Sequence, residues 1–334
     1  MNNSDSGANV PEIIQRSSSD ELDAILGKSF PVLDKGFIRV VDYAGNEASI
    51  VRAARVSYGK GTKTVREDKG LIRYLLRKRH TSPFEQANIT FHCKIPVLVA
   101  RQWVRHRTAR LNEVSGRYSI ISDEFYVPDP ERIQLQSKDN KQGSDLNSVI
   151  SPELRQELHD LIVSGQEKAY LDYLHLLYLG KGVPEEREAD SVDTMAKELA
   201  RINMPLSLYT EWYWQIDLHN LMHFLTLRMD SHAQYEIRCY ADEMYKVLKL
   251  WVPNVISAFD DFVYGVVTFT GPEQKLIRMM QKEQPKEWHW YIYNQCSNGK
   301  NDPIIKKWAK RLGISSGELI EIRPKLERMF YSEG

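Results

Sequence analysis

Five arginines, Arg101, Arg105, Arg107, Arg110 and Arg117, stand against one acid, Glu113, in the stretch from Arg101 to Tyr118, which holds no lysine. The whole chain balances 45 basic residues with 45 acidic ones, so the excess is local and implies a local anionic ligand. Arginine's planar donor fork matches phosphate and carboxylate oxygens, which lysine's point charge does not. A solvated helix face would mix in lysines and acids. Arg105-His106-Arg107 is followed, seven residues on, by Ser115 and then Gly116-Arg117-Tyr118. Ser115 and Gly116 can turn backbone N–H groups towards an anion while Arg117 supplies the fork. The block reads as a nucleotide phosphate site. Ser115 as a nucleophile is the rival reading, but neither a Ser-centred elbow nor an Asp partner accompanies it.

The same stretch resembles the defining motif of the flavin-dependent thymidylate synthases. His80-Thr-Ser-Pro-Phe-Glu85 is similar to that family's upstream flavin segment. Arg201 to Tyr209 and Leu227 to Gln234 are similar to its downstream one. The three blocks come in the family's order, and the resemblance covers roughly residues 37 to 265. It implies reductive methylation of dUMP to dTMP, with 5,10-methylenetetrahydrofolate as carbon donor and FAD, reduced by NADPH, as hydride carrier. It also implies a homotetramer with shared active sites.

Carried over residue by residue, the resemblance assigns dUMP to Gln102, Arg105, Glu113, Ser115, Gly116, Arg117, Arg201 and Arg228. Arg228, His80 and Ser115 become the catalytic candidates, with Arg228 placed to stabilise charge developing on the pyrimidine ring. Folate falls to His80 and Tyr118, and FAD to Ser57, His80, Ser82, Glu85, His106, Arg107, Asp217, His219, His223 and Leu227. Some members carry Asn, Arg and Asn where this chain has Asp217, His219 and His223, so the charge offered to the dinucleotide differs here. Read alone, Arg228 is equally an ion-paired arginine near a helix end, Tyr118 a core tyrosine and His80 a satisfied histidine.

Methylating a pyrimidine at C5 requires that carbon to become nucleophilic, and a cysteine thiolate adding to C6 is one way to do it. Cys93 sits on an apolar strand face and Cys239 in a helical pattern, while Cys296 lies outside the family-like region, so no basic, accessible thiol is indicated. A flavin carrier removes that need and leaves the protein to bind, orient and stabilise charge. His219 and His223 have the spacing of zinc ligands on a helix. They lack the intervening glutamate and a third ligand, so no metal is expected. No Gly-x-Gly-x-x-Gly follows a strand, which excludes a Rossmann turn for NADPH.

The elements that position these groups follow from periodicity. Ile89, Phe91, Cys93 and Ile95 alternate with Thr90, His92 and Lys94, as in a strand with one buried face. Further strands are expected at 37–41 and 208–216. Helices are expected at 65–79, with Leu71, Tyr74 and Leu75 on one side, and from Pro96 to about Arg107, with Arg101 and Arg105 on one face. Others are expected at 151–180, 185–203, 217–229 and 233–251, and a surface loop at 128–150. Strands mixed with long helices without regular alternation suggest an α+β fold, a mixed sheet flanked by long helices.

At 334 residues with 42% hydrophobic content, a sizeable core is affordable. The organisation read from the sequence is a partly disordered N-terminal tail at 1–36, a catalytic domain at 37–270 and a helical extension at 271–334. No apolar run approaches a bilayer span, Met1-Asn-Asn-Ser lacks a basic signal start, and three cysteines form no close pair. These features point to the cytoplasm. Zero net charge argues against generic nucleic-acid binding. The extension holds Trp288, Trp290 and Trp308, too much aromatic surface for a tail. Ile305 to Ile322 loosely resembles a helix-turn-helix beside Lys306, Lys307, Lys310 and Arg311, a pattern that plain helical pairs share. The rivals to the synthase reading are another flavin-dependent nucleotide methyltransferase or reductase, and a nucleic-acid-binding regulator working through this extension.

Overall fold

The computed structural model describes residues 17–56, 65–138, 142–145, 148–185, 193–283 and 286–331. The chain divides into two units, one ending at Phe259 and the other beginning at Asp260.

The first unit is organised on a five-stranded sheet in the order β1-β2-β3-β5-β4. The strands are β1 (Ser29–Val32), β2 (Gly36–Ala44), β3 (Asn88–Pro96), β4 (Arg110–Glu113) and β5 (Tyr209–Asp217). The α+β class holds. All four pairings are antiparallel, however, where a mixed sheet was expected. A three-residue turn joins β1 to β2, and no crossover helix returns a neighbouring strand in the same direction. Gly36 follows that turn because a Cβ there would lie 2.1 Å from the Tyr240 hydroxyl.

The helices of this unit are α1 (Asp20–Asp23), α2 (Glu47–Val56), α3 (Val65–Arg77), α4 (Val97–Trp103), α5 (Pro152–Leu177), α6 (Lys197–Ala200), α7 (Leu218–Arg228), α8 (Tyr235–Trp251) and α9 (Pro253–Phe259). On α3, Ile72 and Leu75 are buried while Tyr74 is exposed, a correction to the expected apolar side. Position 72 lies three residues before Leu75, and that stripe faces α9.

Ile89, Phe91, Cys93 and Ile95 of β3 are fully buried, as their alternation requires, and in register with them lie Ile216, Trp214, Trp212 and Thr210 of β5. Trp103, at the end of α4, fills the centre of this face. Its ring lies 5.5 Å from Trp212, 5.2 Å from Trp214, 5.0 Å from Phe224 and 5.7 Å from Tyr240. Fully burying one large side chain contributes about 1.5–3 kcal/mol, so this cluster fixes where the arginine block begins. The opposite face of β3 and β5 carries Thr90, His92, Lys94, Glu211, Tyr213 and Gln215.

Two helices are shorter than their sequence pattern suggested. α4 stops at Trp103 rather than near Arg107, which leaves Arg105 in a turn and off the Arg101 face. Arg101 and Arg105 on successive helical turns would repel with no acid between them, and the backbone closes instead through His106 N–H to Trp103 O at 3.0 Å. In 185–203, residues 186–192 lie outside the described ones, 193–196 are not helical, and only α6 and a 3₁₀ turn at Arg201–Asn203 form. Met195 N–H donates to Leu177 O at 2.8 Å, which ties the segment to the end of α5 instead of to its own helix.

The second unit opens with a π-helical turn at Asp260–Tyr264. It continues with α10 (Gly271–Glu283), α11 (Trp288–Ser297), α12 (Pro303–Leu312), α13 (Ser316–Ile320) and α14 (Ile322–Phe330). It has its own core, with Leu276, Ile292, Ile305, Trp308, Leu319 and Leu326 buried, whereas Trp290 is 53% exposed. Gly313 at φ +72° ends α12, and the Ser315 hydroxyl caps α13.

Candidate active site

β4 is an edge strand whose Arg110 to Glu113 pair with Gln215 to Trp212 of β5, and the chain then leaves the sheet at Val114. The next turn is the phosphate candidate. Tyr118 N–H donates to Ser115 O at 3.1 Å, and the Ser115 hydroxyl accepts from Arg117 N–H at 3.3 Å. That hydroxyl shapes the loop, and among the described residues no base is hydrogen-bonded to it. A Cβ on Gly116 would sit 3.1 Å from Arg201 Nη1, so the absence of a side chain is what lets the guanidinium approach the turn.

Glu113, Ser115, Gly116 and Arg201 line one cavity of about 570 Å³, to which β3 and β5 add residues from both faces of the sheet. Its floor includes groups the sequence reading did not select. Thr210 Oγ1 donates to Glu113 Oε1 at 2.7 Å, His92 Nε2 lies 2.8 Å from Glu211 Oε2, and Lys94 Nζ donates to Glu124 Oε1 at 2.5 Å. Strand alternation had already put His92 and Lys94 on the polar face. Polar groups in the middle of a sheet were the signal that could have found them.

Gln102, Leu227 and Arg228 line a different cavity, of about 580 Å³. Here Arg228 donates through Nε to His106 Nε2 at 3.0 Å and through Nη2 to Gln102 O at 3.2 Å. His106 must therefore be neutral, with its proton on Nδ1. Burial, reinforced by the charges of Arg228 and His223, holds its pKa down at about 4. Burial also lowers the Arg228 pKa from its very high ordinary value. The His106 ring packs edge-on at 4.8 Å against Phe224. Of the dUMP candidates, Glu113, Ser115, Gly116 and Arg201 thus line one cavity and Gln102 and Arg228 the other, while the exposed Arg105 and Arg117 line neither.

Of the flavin candidates, Glu85 lies in the turn at Phe84–Gln86, which packs on α7, the helix that carries His219, His223 and Leu227. Ala87 O accepts from Leu218 N–H at 2.8 Å, which ties the end of that turn to the start of α7. α3 ends with Arg79 in the left-handed region at φ 58°. His80 N–H then closes back to Leu75 O at 2.9 Å and leaves the His80 ring exposed, edge-on to Tyr74 at 5.9 Å. Ser82, Glu85, Arg107 and His223 are exposed and His219 is half-buried. Asp217 caps α7, its carboxylate accepting from the Asn220 backbone at 2.9 Å and side chain at 2.7 Å. Ser57 lies outside the described residues. Tyr118 is 78% exposed, so it is not a core tyrosine.

Arg101, Arg105, Arg107 and Arg110 are exposed and none pairs with an acid among the described residues. Such a crowd of like charges is held without internal compensation, and an anionic dinucleotide would supply the missing charge. The donor set therefore fits FAD. The cysteines do not fit nucleophilic chemistry. Burial pushes the Cys93 thiol far above the ordinary range, raises that of Cys239, and lifts that of Cys296 to about 12.

The family described as "Thymidylate synthase complementing protein" matches residues 39–254. The flavin-dependent thymidylate synthase of Treponema denticola is 55% identical over 253 residues, which is 76% of this chain and 90% of that protein. That of Gluconobacter oxydans is 47% identical over 268 residues, 80% of this chain and 84% of the relative. The crystal structure of a UMP/dUMP methylase, PolB from Streptomyces cacaoi, bound with 5-Br dUMP, superposes with a TM-score of 0.58 at 31% identity, covering 70% of this chain and 98% of that one. The family match over residues 39–254 and relatives about half identical over three quarters or more of the chain agree with the Ser115-Gly116-Arg117 turn beside Arg201: this protein belongs to the flavin-dependent thymidylate synthase family.

Proposed function

We infer that the chain methylates dUMP at C5 to give dTMP, taking the carbon from 5,10-methylenetetrahydrofolate and using FAD reduced by NADPH. The observation that carries this reading is the Gly116 turn, which holds two phosphate donors, the Ser115–Arg117 loop and Arg201, at one wall of a nucleotide-sized cavity. Glu113 is oriented on the same wall by Thr210. Bound FAD would supply the hydride, which makes a protein thiolate unnecessary. Arg228, held by His106 and the Gln102 carbonyl, is the fixed cation that would face charge developing on the pyrimidine. His80, Ser82, Glu85, Arg107, His219 and His223 would hold the dinucleotide, with Asp217 acting through the helix it caps. Tyr118 and His80 offer exposed rings for a pterin.

The division of dUMP candidates between two cavities supports a homotetramer in which one subunit's Ser115–Arg201 wall meets a neighbour's Gln102–Arg228 wall. No helix among the described residues is long and apolar enough to cross a membrane. The three unpaired cysteines support a cytoplasmic location. The test is anaerobic turnover with dUMP, methylenetetrahydrofolate, FAD and NADPH, omitting one component at a time. Formation of dTMP only in the complete mixture is expected. Turnover of UMP in preference to dUMP would move the assignment to a different nucleotide methyltransferase.

A further inference from the structure

Arg117 is the fork that the phosphate reading depends on, yet in this structure the fork is engaged. Glu198 Oε2 lies 3.0 Å from Arg117 Nη2. Its neighbour Lys197 donates through Nζ to Tyr118 O at 3.0 Å, and Arg201, one helical turn further, reaches the Gly116 position. A single short segment, residues 197–201, thus grips the whole 115–118 turn. The segment is anchored by Ala200, fully buried against Tyr173 and Leu177, so the Glu198 backbone is fixed while its side chain stays 58% exposed. Glu113, the other acid beside the turn, is already bound to Thr210.

We propose that Glu198 is a placeholder for the substrate phosphate, occupying the Arg117 fork in the free site and yielding it when a 5′-phosphorylated pyrimidine arrives. This rests on the reading of Ser115–Arg117 as the phosphate cradle. Glu198 takes the Nη2 end of the guanidinium, and a phosphate that accepts from both ends of the same edge must compete with it there. The exposed pair is weak, so a phosphate dianion with further donors from Ser115 and Arg201 displaces it. A nucleoside without phosphate cannot. Because α6 is anchored, the displaced carboxylate stays close to the phosphate and continues to oppose it. Glu198 thereby keeps the turn ordered between substrates, limits how tightly the nucleotide is held, and makes the phosphate the group that opens the site.

The test compares the intact protein with Glu198→Gln and Arg117→Ala, measuring calorimetric binding of dUMP and of deoxyuridine at two salt concentrations, with FAD content as a control. Glu198→Gln should tighten dUMP by about two- to fivefold, the range for removing one exposed ion pair. The gain should shrink at high salt, while deoxyuridine binding and FAD content stay unchanged. Unchanged or weaker dUMP binding in Glu198→Gln overturns the placeholder role. If Arg117→Ala weakens dUMP while Glu198→Gln does not tighten it, only the placeholder fails. If Arg117→Ala leaves dUMP binding intact, the phosphate cradle itself is misassigned and the proposal falls with it.

Discussion

Gly116→Ala separates the fold from the site by adding one methyl group. The new Cβ would meet Arg201 Nη1 at 3.1 Å and the Ile121 side chain at 3.2 and 3.3 Å, all flexible ends rather than backbone. Gly116 does not sit in the left-handed region, so alanine brings no backbone strain. Restricting the unfolded chain favours the variant by about 0.4–1 kcal/mol and the crowding opposes this, so the net stability change should stay within about 1 kcal/mol. Binding should respond far more. Moving the Arg201 guanidinium a few tenths of an ångström off the turn weakens a hydrogen bond to a charged group, worth about 1.5–3 kcal/mol, or roughly 10- to 150-fold in dUMP affinity if it is lost entirely. Thermal unfolding and calorimetric titration with dUMP measure the two quantities on one sample. A folded Gly116→Ala protein that binds dUMP as tightly as the parent would show that Arg201 does not hold the nucleotide through this turn.

Replacing Cys93, Cys239 and Cys296 together by Ala or Ser should cost core stability but leave turnover per folded molecule in place; loss of methylation in a folded, FAD-loaded Cys239→Ser protein would contradict it. Asp217→Ala removes the α7 cap and should cost about 0.5–2 kcal/mol in denaturant unfolding. In the second unit Glu273 is almost fully buried and both its oxygens accept from Lys325 Nζ at 2.8 Å. Lys325→Met should therefore destabilise that unit by about 3 kcal/mol, and adding Glu273→Gln should restore part of it; a scanning-calorimetry transition unmoved by Lys325→Met would refute the pairing. His106 titrates at about 4 when folded but at about 6.5 when unfolded, so between those values the unfolded chain binds more protons. Stability should be flat above pH 6.5 and fall as pH drops from there towards 4, and His106→Gln should reduce that slope in pH-dependent melts.

Much of the arrangement was legible because single periodicities dictated it. The two-residue alternation of β3 fixed both its buried face and, by exclusion, the polar face that carries His92 and Lys94. The arginine block was readable for a different reason: its five arginines have one acid, Glu113, among them, and composition alone shows that. What could not be read depended on partners distant in sequence. Glu198 meets Arg117 across 81 positions, Thr210 meets Glu113 across 97, and Arg228 meets His106 across 122. No spacing rule encodes such pairs. The early end of α4 was hidden for another reason, because repulsion between Arg101 and Arg105 opposes a helix that periodicity alone would continue.

The two cavities also explain why so much positive charge is tolerated. β5 runs between them, carrying Thr210 to the Glu113 side at one end and, through Asp217, leading into α7 and Arg228 at the other. Arg201 is drawn to one wall, with Arg117 paired to Glu198 beside it, while Arg228 is held at the second by a neutral histidine and a carbonyl, neither of which cancels its charge. An acid in the place of His106 would pair with Arg228 and remove the potential that a developing negative charge on the substrate needs. A neutral acceptor fixes the direction of the guanidinium and leaves its charge available. Replacement of His106 by Glu should then preserve the geometry and still depress kcat, whereas His106→Gln, which also accepts without charge, should depress it less. A Glu variant as fast as the parent would mean that the role of Arg228 is to orient the ring and not to stabilise its charge.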